Sequence, residues 1–185
     1  VTIRQALKEY PAQVLRFFIL SSHYRSPTDY SINSLAAASR GWRRMLRPFL
    51  SVRQRLNKPG LPDQDNIDVM DLNDRIRNRF SEAMDDDFNS PSALAVLFDL
   101  SKAVNTLMSA DIQPNRVTLE TIDALYNELA GEVLGILPGK TDNKVDAKRE
   151  EGLIQLLIDT RAKARQKKDF DTSDEIRDRM KAIGI

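Results

Sequence analysis

The sequence predicts an all-α fold: an antiparallel helical bundle, preceded by short helices and followed by a small helical hairpin. Three observations predict it. Apolar residues recur at spacings of three and four through most of the 185 residues, the period of one helix face. Capping residues and Pro–Gly pairs cut those runs into helix-sized segments. No stretch sustains the alternation of β-branched and polar residues that marks a strand.

Taken in order, Thr2 with Gln5 forms a capping box that opens a short helix from Ile3 to Tyr10. Pro11 suits the first position of the next helix, where its missing N–H costs nothing. That helix carries Val14, Phe17 and Phe18 at one-face spacing, with Leu15 and Ile19 beside them. So dense an apolar run, ending at Ser26-Pro27, is expected to be buried on most sides, with the rest of the chain packed around it. Phe17 and Phe18 should both be largely buried.

Ser31 is positioned to cap a long helix reaching about Leu56. Leu35, Ala38, Trp42, Met45, Phe49 and Val52 form its inward stripe, and Pro48 within it predicts a kink near Arg44. A loop with Pro59-Gly60 precedes a helix from about Asp65 to Met84, with Ile67, Leu72, Ile76, Phe80 and Met84 inward. Ser90 then caps and Pro91 starts a helix to Ser109 that buries Leu94, Leu97, Phe98, Val104 and Leu107. Thr118 caps the next, whose stripe is Leu119, Ile122, Leu125, Tyr126, Leu129 and Val133, ending near Gly135 with Pro138-Gly139 as a stop. Beyond a polar stretch comes the hairpin. Leu153, Leu156, Leu157, Thr160 and Ala164 face Ile176, Met180 and Ile183 across a turn at Lys168-Asp169, and Gly184 is placed as a C-terminal cap. The expected organisation is a lead-in over 1–30, a bundle over 31–140, a linker over 141–149 and the hairpin over 150–185.

The composition is 41% hydrophobic and 30% charged, with a net charge of +1. Any nucleic-acid binding therefore needs local basic patches. The absence of cysteine removes disulfides, thiolate–zinc sites and a thiol nucleophile, and fits a cytoplasmic location. No apolar run approaches the roughly 20 residues of a membrane span, and the N-terminus shows no signal-peptide pattern but reads as mid-domain, as in a piece of a longer chain.

Several groups carry candidate chemistry. His23, the only histidine, has no second ligand or nucleophile beside it, which favours a hydrogen-bonded structural role. Asp85, Asp86 and Asp87 could hold a metal or do acid–base work; the simpler reading is negative charge before a helix N-terminus. Arg40, Arg43, Arg44 and Arg47 form a second stripe on the long helix, either a solvated basic face or a phosphate-contacting one. Arg161, Lys163, Arg165, Lys167 and Lys168 crowd one helix end, where they complement the helix dipole or meet phosphates. Near them, Phe170 can stack on a base, Asp174 can accept from base amino groups and Arg165 can pair with a guanine edge. No glycine-rich phosphate loop, histidine cluster or nucleophile set is present, so no catalytic residue and no metal ligand is assigned.

Two strings carry a family resemblance. Gln13-Val14-Leu15-Arg16 stands where class I aminoacyl-tRNA synthetases bear an Asp-Ala-Leu-Arg-like signature, without the aspartate. The longer string through Phe17-Phe18 to Ser22-His23-Tyr24-Arg25-Ser26-Pro27 resembles bacterial cysteinyl-tRNA synthetases, as does Met84 to Pro91 followed by Ala93-Leu94-Ala95-Val96-Leu97-Phe98-Asp99. The resemblance spans nearly the whole chain and implies the part downstream of the active site. The family's His-Ile-Gly-His-type motif, cysteine-rich zinc site and Lys-Met-Ser-Lys-Ser loop are all missing here, so ATP and zinc are expected in the parent enzyme and not in this piece. The resemblance implies a stem-contact lead-in, a helical anticodon-binding bundle and a hairpin that reads the anticodon through Arg165, Phe170 and Asp174. Phe170 stands where the family often has tryptophan, keeping the stacking face and losing the indole donor. Cysteine-specific tRNA is the implied partner, for a monomer acting on neither DNA nor membrane. A cysteine ligase of mycothiol synthesis is a related alternative, disfavoured by the string from Lys163 to Ile185. A helical scaffold without RNA binding is the other.

The absence of a nucleotide-binding or metal-ligand set gives the first prediction. The chain alone should leave cysteine-dependent ATP–pyrophosphate exchange at background; exchange above background would mean that an activating site is hidden in these helices.

Overall fold

The computed structural model describes residues 2–65, 67–110, 113–138, 143–166 and 169–182, with the side chains of 143–151, 153 and 181–182 left aside. Among the described residues every regular element is helical. The chain divides into two compact units, Val1–Leu137 and Pro138–Ile185. The first holds α1 (Ile3–Glu9), α2 (Ala12–Leu20), α3 (Ile32–Leu56), α4 (Val69–Asp85), α5 (Ser90–Ser109) and α6 (Arg116–Tyr126), which continues as a π-helix over Asn127–Val133. The second holds α7 (Asn143–Gln166) and α8 (Phe170–Ala182). The segment expected as a linker, 141–149, is thus helical from Asn143. No described helix is long and apolar enough to cross a membrane.

Local chemistry sets the helix starts. The capping boxes Thr2–Gln5 and Ser31–Ser34 both form, each cap contributing about 1 kcal/mol. Three other starts differ from expectation. Asn89, not Ser90, caps α5 by accepting from Ser92 N–H at 3.1 Å. Asn115, not Thr118, caps α6, and Thr118 is instead the residue whose N–H it receives at 2.9 Å. Helix α4 starts at Val69 behind Asp68, because Asp65 is engaged elsewhere.

Asp65 joins the loop before α4 to the start of α6. Its carboxylate accepts from Asn115 N–H at 2.7 Å, the Thr118 hydroxyl at 2.8 Å and Ile67 N–H at 3.2 Å. Burial works to raise this carboxyl, but those three hydrogen bonds outweigh it and hold its pKa below the ordinary aspartate value.

The core lies between α3, α4, α5 and α6. Met45, Phe49, Val52, Leu97, Leu100, Val104, Leu119, Ile122, Leu125 and Tyr126 are sealed from solvent. Pro48 sits buried inside α3, which continues through it to Leu56. The Tyr126 hydroxyl lies 3.0 Å from that of Ser101, which in turn is 2.8 Å from Leu97 O. Burial pushes the Tyr126 phenol up to about 12, with Ser101 partly offsetting it.

Two packing expectations are corrected. Helix α2 is a flank of the bundle and not its centre: Val14 and Phe17 are buried, but Phe18 is only half-buried, Ile19 is 64% exposed and Arg16 faces outward. Val133 is also exposed, at 53%, while Leu134 is 5% exposed. The cause is the π-helix. Its bonds, such as Leu134 N–H to Leu129 O at 3.2 Å, span five residues and widen the turn, which moves the inward register from 133 to 134. Gly135, at φ +61°, then ends the segment in the left-handed region that favours glycine. Its carbonyl accepts from the Arg16 guanidinium at 2.7 Å, and Ile136 O accepts from Trp42 Nε1 at 2.7 Å. These bonds tie the end of the first unit to α2 and α3.

In the second unit, Ala164 and Ser173 are buried where α7 meets α8, with Arg161, Ile176 and Met180 half-buried. Leu156 is 61% exposed and Leu157 37%, so the seam runs through 157, 161 and 164 and leaves Leu156 outside. Two helices bury one stripe each, and the other apolar positions stay at the surface. Leu153, Ile183 and Gly184 lie outside the described side chains.

Phe17→Ala should cost about 3–5 kcal/mol in denaturant melts, and Phe18→Ala clearly less because its ring is only half-buried; equal losses would contradict this packing. A depressed carboxyl stabilises the fold fully above the unfolded aspartate pKa of about 3.9, and that stability is lost as pH falls through the lower folded value. Asp65→Ala should therefore cost about 1–3 kcal/mol at pH 7, with the difference from wild type shrinking in melts run progressively below pH 4.

Candidate nucleic-acid interface

The most strongly basic surface of the bundle is the outer side of α3. Leu35, Met45, Phe49 and Val52 point inward. At 100° per residue, Arg40, Arg43, Arg44 and Arg47 centre on the opposite side, and all four are exposed. From Ser31 to Pro62 the chain contains no aspartate or glutamate, against Arg40, Arg43, Arg44, Arg47, Arg53, Arg55 and Lys58. Two of those cations have structural tasks. Arg53 Nε donates to Asp123 at 2.7 Å and its guanidinium lies 4.3 Å from the Phe49 ring centroid. Arg55 donates to Gly60 O and Gln113 Oε1, both at 2.8 Å.

The four stripe arginines make no ion pair among the described residues. Arg44 alone has a further contact, its guanidinium 4.8 Å from the centroid of the Phe98 ring. The neighbouring helix behaves differently. On α4, Arg75 pairs with Asp71, Arg77 with Glu128 and Arg79 with Asp99. The α3 face is thus a set of guanidiniums with their donors uncommitted, which is the chemistry that phosphate oxygens match.

The two strings singled out in the sequence meet in space. The Asp87 carboxylate accepts from the Tyr24 hydroxyl at 2.7 Å and from Arg25 Nη2 at 3.1 Å. His23 Nε2 lies 3.9 Å from its other oxygen. The His23 and Tyr24 rings stack with centroids 4.8 Å apart, and His23 Nδ1 accepts from Arg25 N–H at 3.3 Å. His23 is therefore a packed, hydrogen-bonded member of this junction. The hydrogen bond to Asp87 holds the Tyr24 phenol above its ordinary value, with Arg25 acting against it. Asp87 and Phe88 both adopt φ +53°, an uncommon conformation for these residue types. Among the described residues, no group of three His, Asp or Glu side chains is placed to hold a metal ion.

The predicted base readers lie at the hairpin turn. Arg165 is exposed in the last turn of α7, and Phe170, 57% exposed, is the first residue of α8. Asp169 accepts from Thr172 N–H at 3.2 Å. Asp174 follows Phe170 by four positions, so the two share a face of α8. Asp174 accepts from Arg177 at 3.0 Å in a solvent-exposed pair. Lys167 and Lys168 lie outside the described residues. The pairing that sets the α3 arginines apart was missed in the sequence; the acid-free run from Ser31 to Pro62 is the signal that could have shown it.

Residues 79–138, from within α4 through the π-helix, match the DALR domain family. Similarity to complete proteins extends over the whole chain. It is 39% identical to the cysteine–tRNA ligase of Halalkalibacterium halodurans over 191 residues, covering 100% of this chain and 38% of the ligase. It is 38% identical to that of Desulfitobacterium hafniense and 34% to that of Thermococcus onnurineus, covering 100% of this chain and 39% of each. The chain belongs to the cysteine–tRNA ligase family, and it spans about two fifths of the length of these relatives.

Proposed function

We propose that this chain is the tRNA-recognition part of a cysteine–tRNA ligase. The observation that carries the reading is the α3 stripe: four exposed arginines, none ion-paired among the described residues, in a 32-residue acid-free run. Chance surface charge tends to be mixed in sign, as on α4; an all-cationic face suits a polyanion. Arg40, Arg43, Arg44 and Arg47 would contact the phosphate backbone, joined by Lys167 and Lys168. The finer assignment is that Arg165, Phe170 and Asp174 read the anticodon. An exposed ring offers a stacking surface. The Asp174–Arg177 pair, exposed on both sides, contributes about 0–1 kcal/mol, so Asp174 can exchange Arg177 for a base amino group at little cost.

Attachment of cysteine with ATP would be the activity of the whole ligase. The residues here do not fit the zinc of that family, because the chain has no cysteine and a single histidine. No step of the reaction is therefore assigned to this chain.

Filter-binding titrations over a salt series test the reading. The chain should retain a transcript of a cysteine-accepting tRNA with an affinity that falls as salt rises. Arg43→Ala should weaken binding to cognate and anticodon-swapped transcripts alike and make the salt slope shallower by about one. Carried into a full-length ligase, Asp174→Ala should lower discrimination between those transcripts by roughly 1–3 kcal/mol, and Phe170→Ala should weaken cognate binding by a similar amount. No retention of RNA at any salt would leave a helical scaffold; unchanged discrimination in Asp174→Ala would remove the hairpin as the reader.

A further inference from the structure

The arginine stripe borders a second feature with different chemistry. Helices α2, α3 and α5 border an open apolar groove with a volume of about 480 Å3. Its aromatic lining comes from Phe17 and Phe18 on α2 and Phe98 on α5. Its α3 side is kept low by Ala37 and Gly41. A Cβ at Gly41 would lie 3.3 Å from Phe17 Cε1, tight enough to press on that ring. The polar lining consists of serines, including Ser21 and Ser34, whose hydroxyls already donate to Phe17 O at 2.7 Å and Ser31 O at 2.8 Å.

Charge narrows the choice of occupant. The residues lining the groove include no carboxylate, and Asp99, one turn beyond Ala95 on α5, is paired with Arg79 at 2.8 Å. Arg44 sits one turn beyond Gly41 and lies over the Phe98 ring. A guanidinium over an aromatic face keeps its N–H edges free for a planar acceptor, and Arg44 has no ion pair among the described residues. Rings, a shallow floor and an uncommitted guanidinium at one end match a base joined to a phosphate.

We infer that this groove receives one unstacked nucleotide of the bound tRNA, its base against the half-buried Phe18 and Phe98 rings and its phosphate on Arg44. The inference rests on the tRNA-binding reading above and adds to it a base-stacking contact on the bundle, separate from the hairpin. Loops and unpaired junctions of folded RNA supply bases that can be splayed out in this way.

The test uses the whole 185-residue chain. Methyl NMR should show the Ala37, Ala38 and Ala95 signals shifting with adenosine 5′-monophosphate and not with ribose 5-phosphate, which has no base. Ala37 and Ala95 line the groove and are exposed, so Ala37→Phe and Ala95→Phe fill it without entering the core. Each should leave the thermal melt unchanged and weaken binding of the tRNA transcript about 5- to 150-fold, the worth of one stacked base. Wild-type affinity in both variants overturns the inference. So do equal shifts from ribose 5-phosphate. Shifts from an amphipathic Leu/Glu peptide in the absence of any from the nucleotide also overturn it, in favour of a protein-docking groove. Failure of the wild-type chain to bind the transcript would instead sink the tRNA reading, and the nucleotide titration would still decide the groove.

Discussion

The constraint on which the first unit depends is the burial of one stripe of α3. The helix packs against α2, α5 and α6, and its side chains from Leu35 to Val52 supply much of the core. Trp42 extends the same side to Ile136 O. A rigid helix with one face committed has its other face fixed as well. The arginines are therefore held outward by the packing of residues that never touch solvent. Like charges three and four positions apart cost a few tenths of a kcal/mol per pair. Folding gains nothing from that repulsion, so its counterpart is better sought in an anionic partner than within the chain.

Periodicity made most of the helices legible. The spans of α3 and α5 lie within a residue of expectation, and the Thr2–Gln5 capping box and the Ser31 cap read from the sequence both form. The misses have physical causes. Ser90 and Thr118 are competent caps, but Asn89 and Asn115 stand one and three residues earlier and accept from Ser92 N–H and Thr118 N–H, which starts each helix sooner. Val133 fits a 3.6-residue period; the π-helix breaks that period, and nothing local in Asn127–Val133 announces it. Helix α2 looked central because its apolar density is high, yet density does not say how many sides have partners.

The candidate site was legible in part for a similar reason. Spacing alone aligns Arg40, Arg43, Arg44 and Arg47. It does not separate them from Arg53 or Arg77, whose partners Asp123 and Glu128 lie 70 and 51 positions away. The Asp87 clamp on Tyr24 spans 63 positions and was equally out of reach. Which cations are committed is a property of the tertiary fold. The availability of a charge, and hence its claim to a function, therefore came from the structure.

On the proposed reading, the two units carry different kinds of recognition. The α3 face offers guanidiniums alone, and phosphates present the same charge whatever the base. The hairpin instead sets an exposed ring and a carboxylate one turn apart on α8, so stacking and a directed acceptor act together. A carboxylate would weaken a purely electrostatic surface, and α3 has none. Beside a base edge the same group discriminates, because it favours amino donors and repels carbonyls. Keeping acids off α3 while placing Asp174 beside Phe170 separates affinity from specificity. It also lets a chain of net charge +1 address a polyanion through one basic face without spreading positive charge over its whole surface.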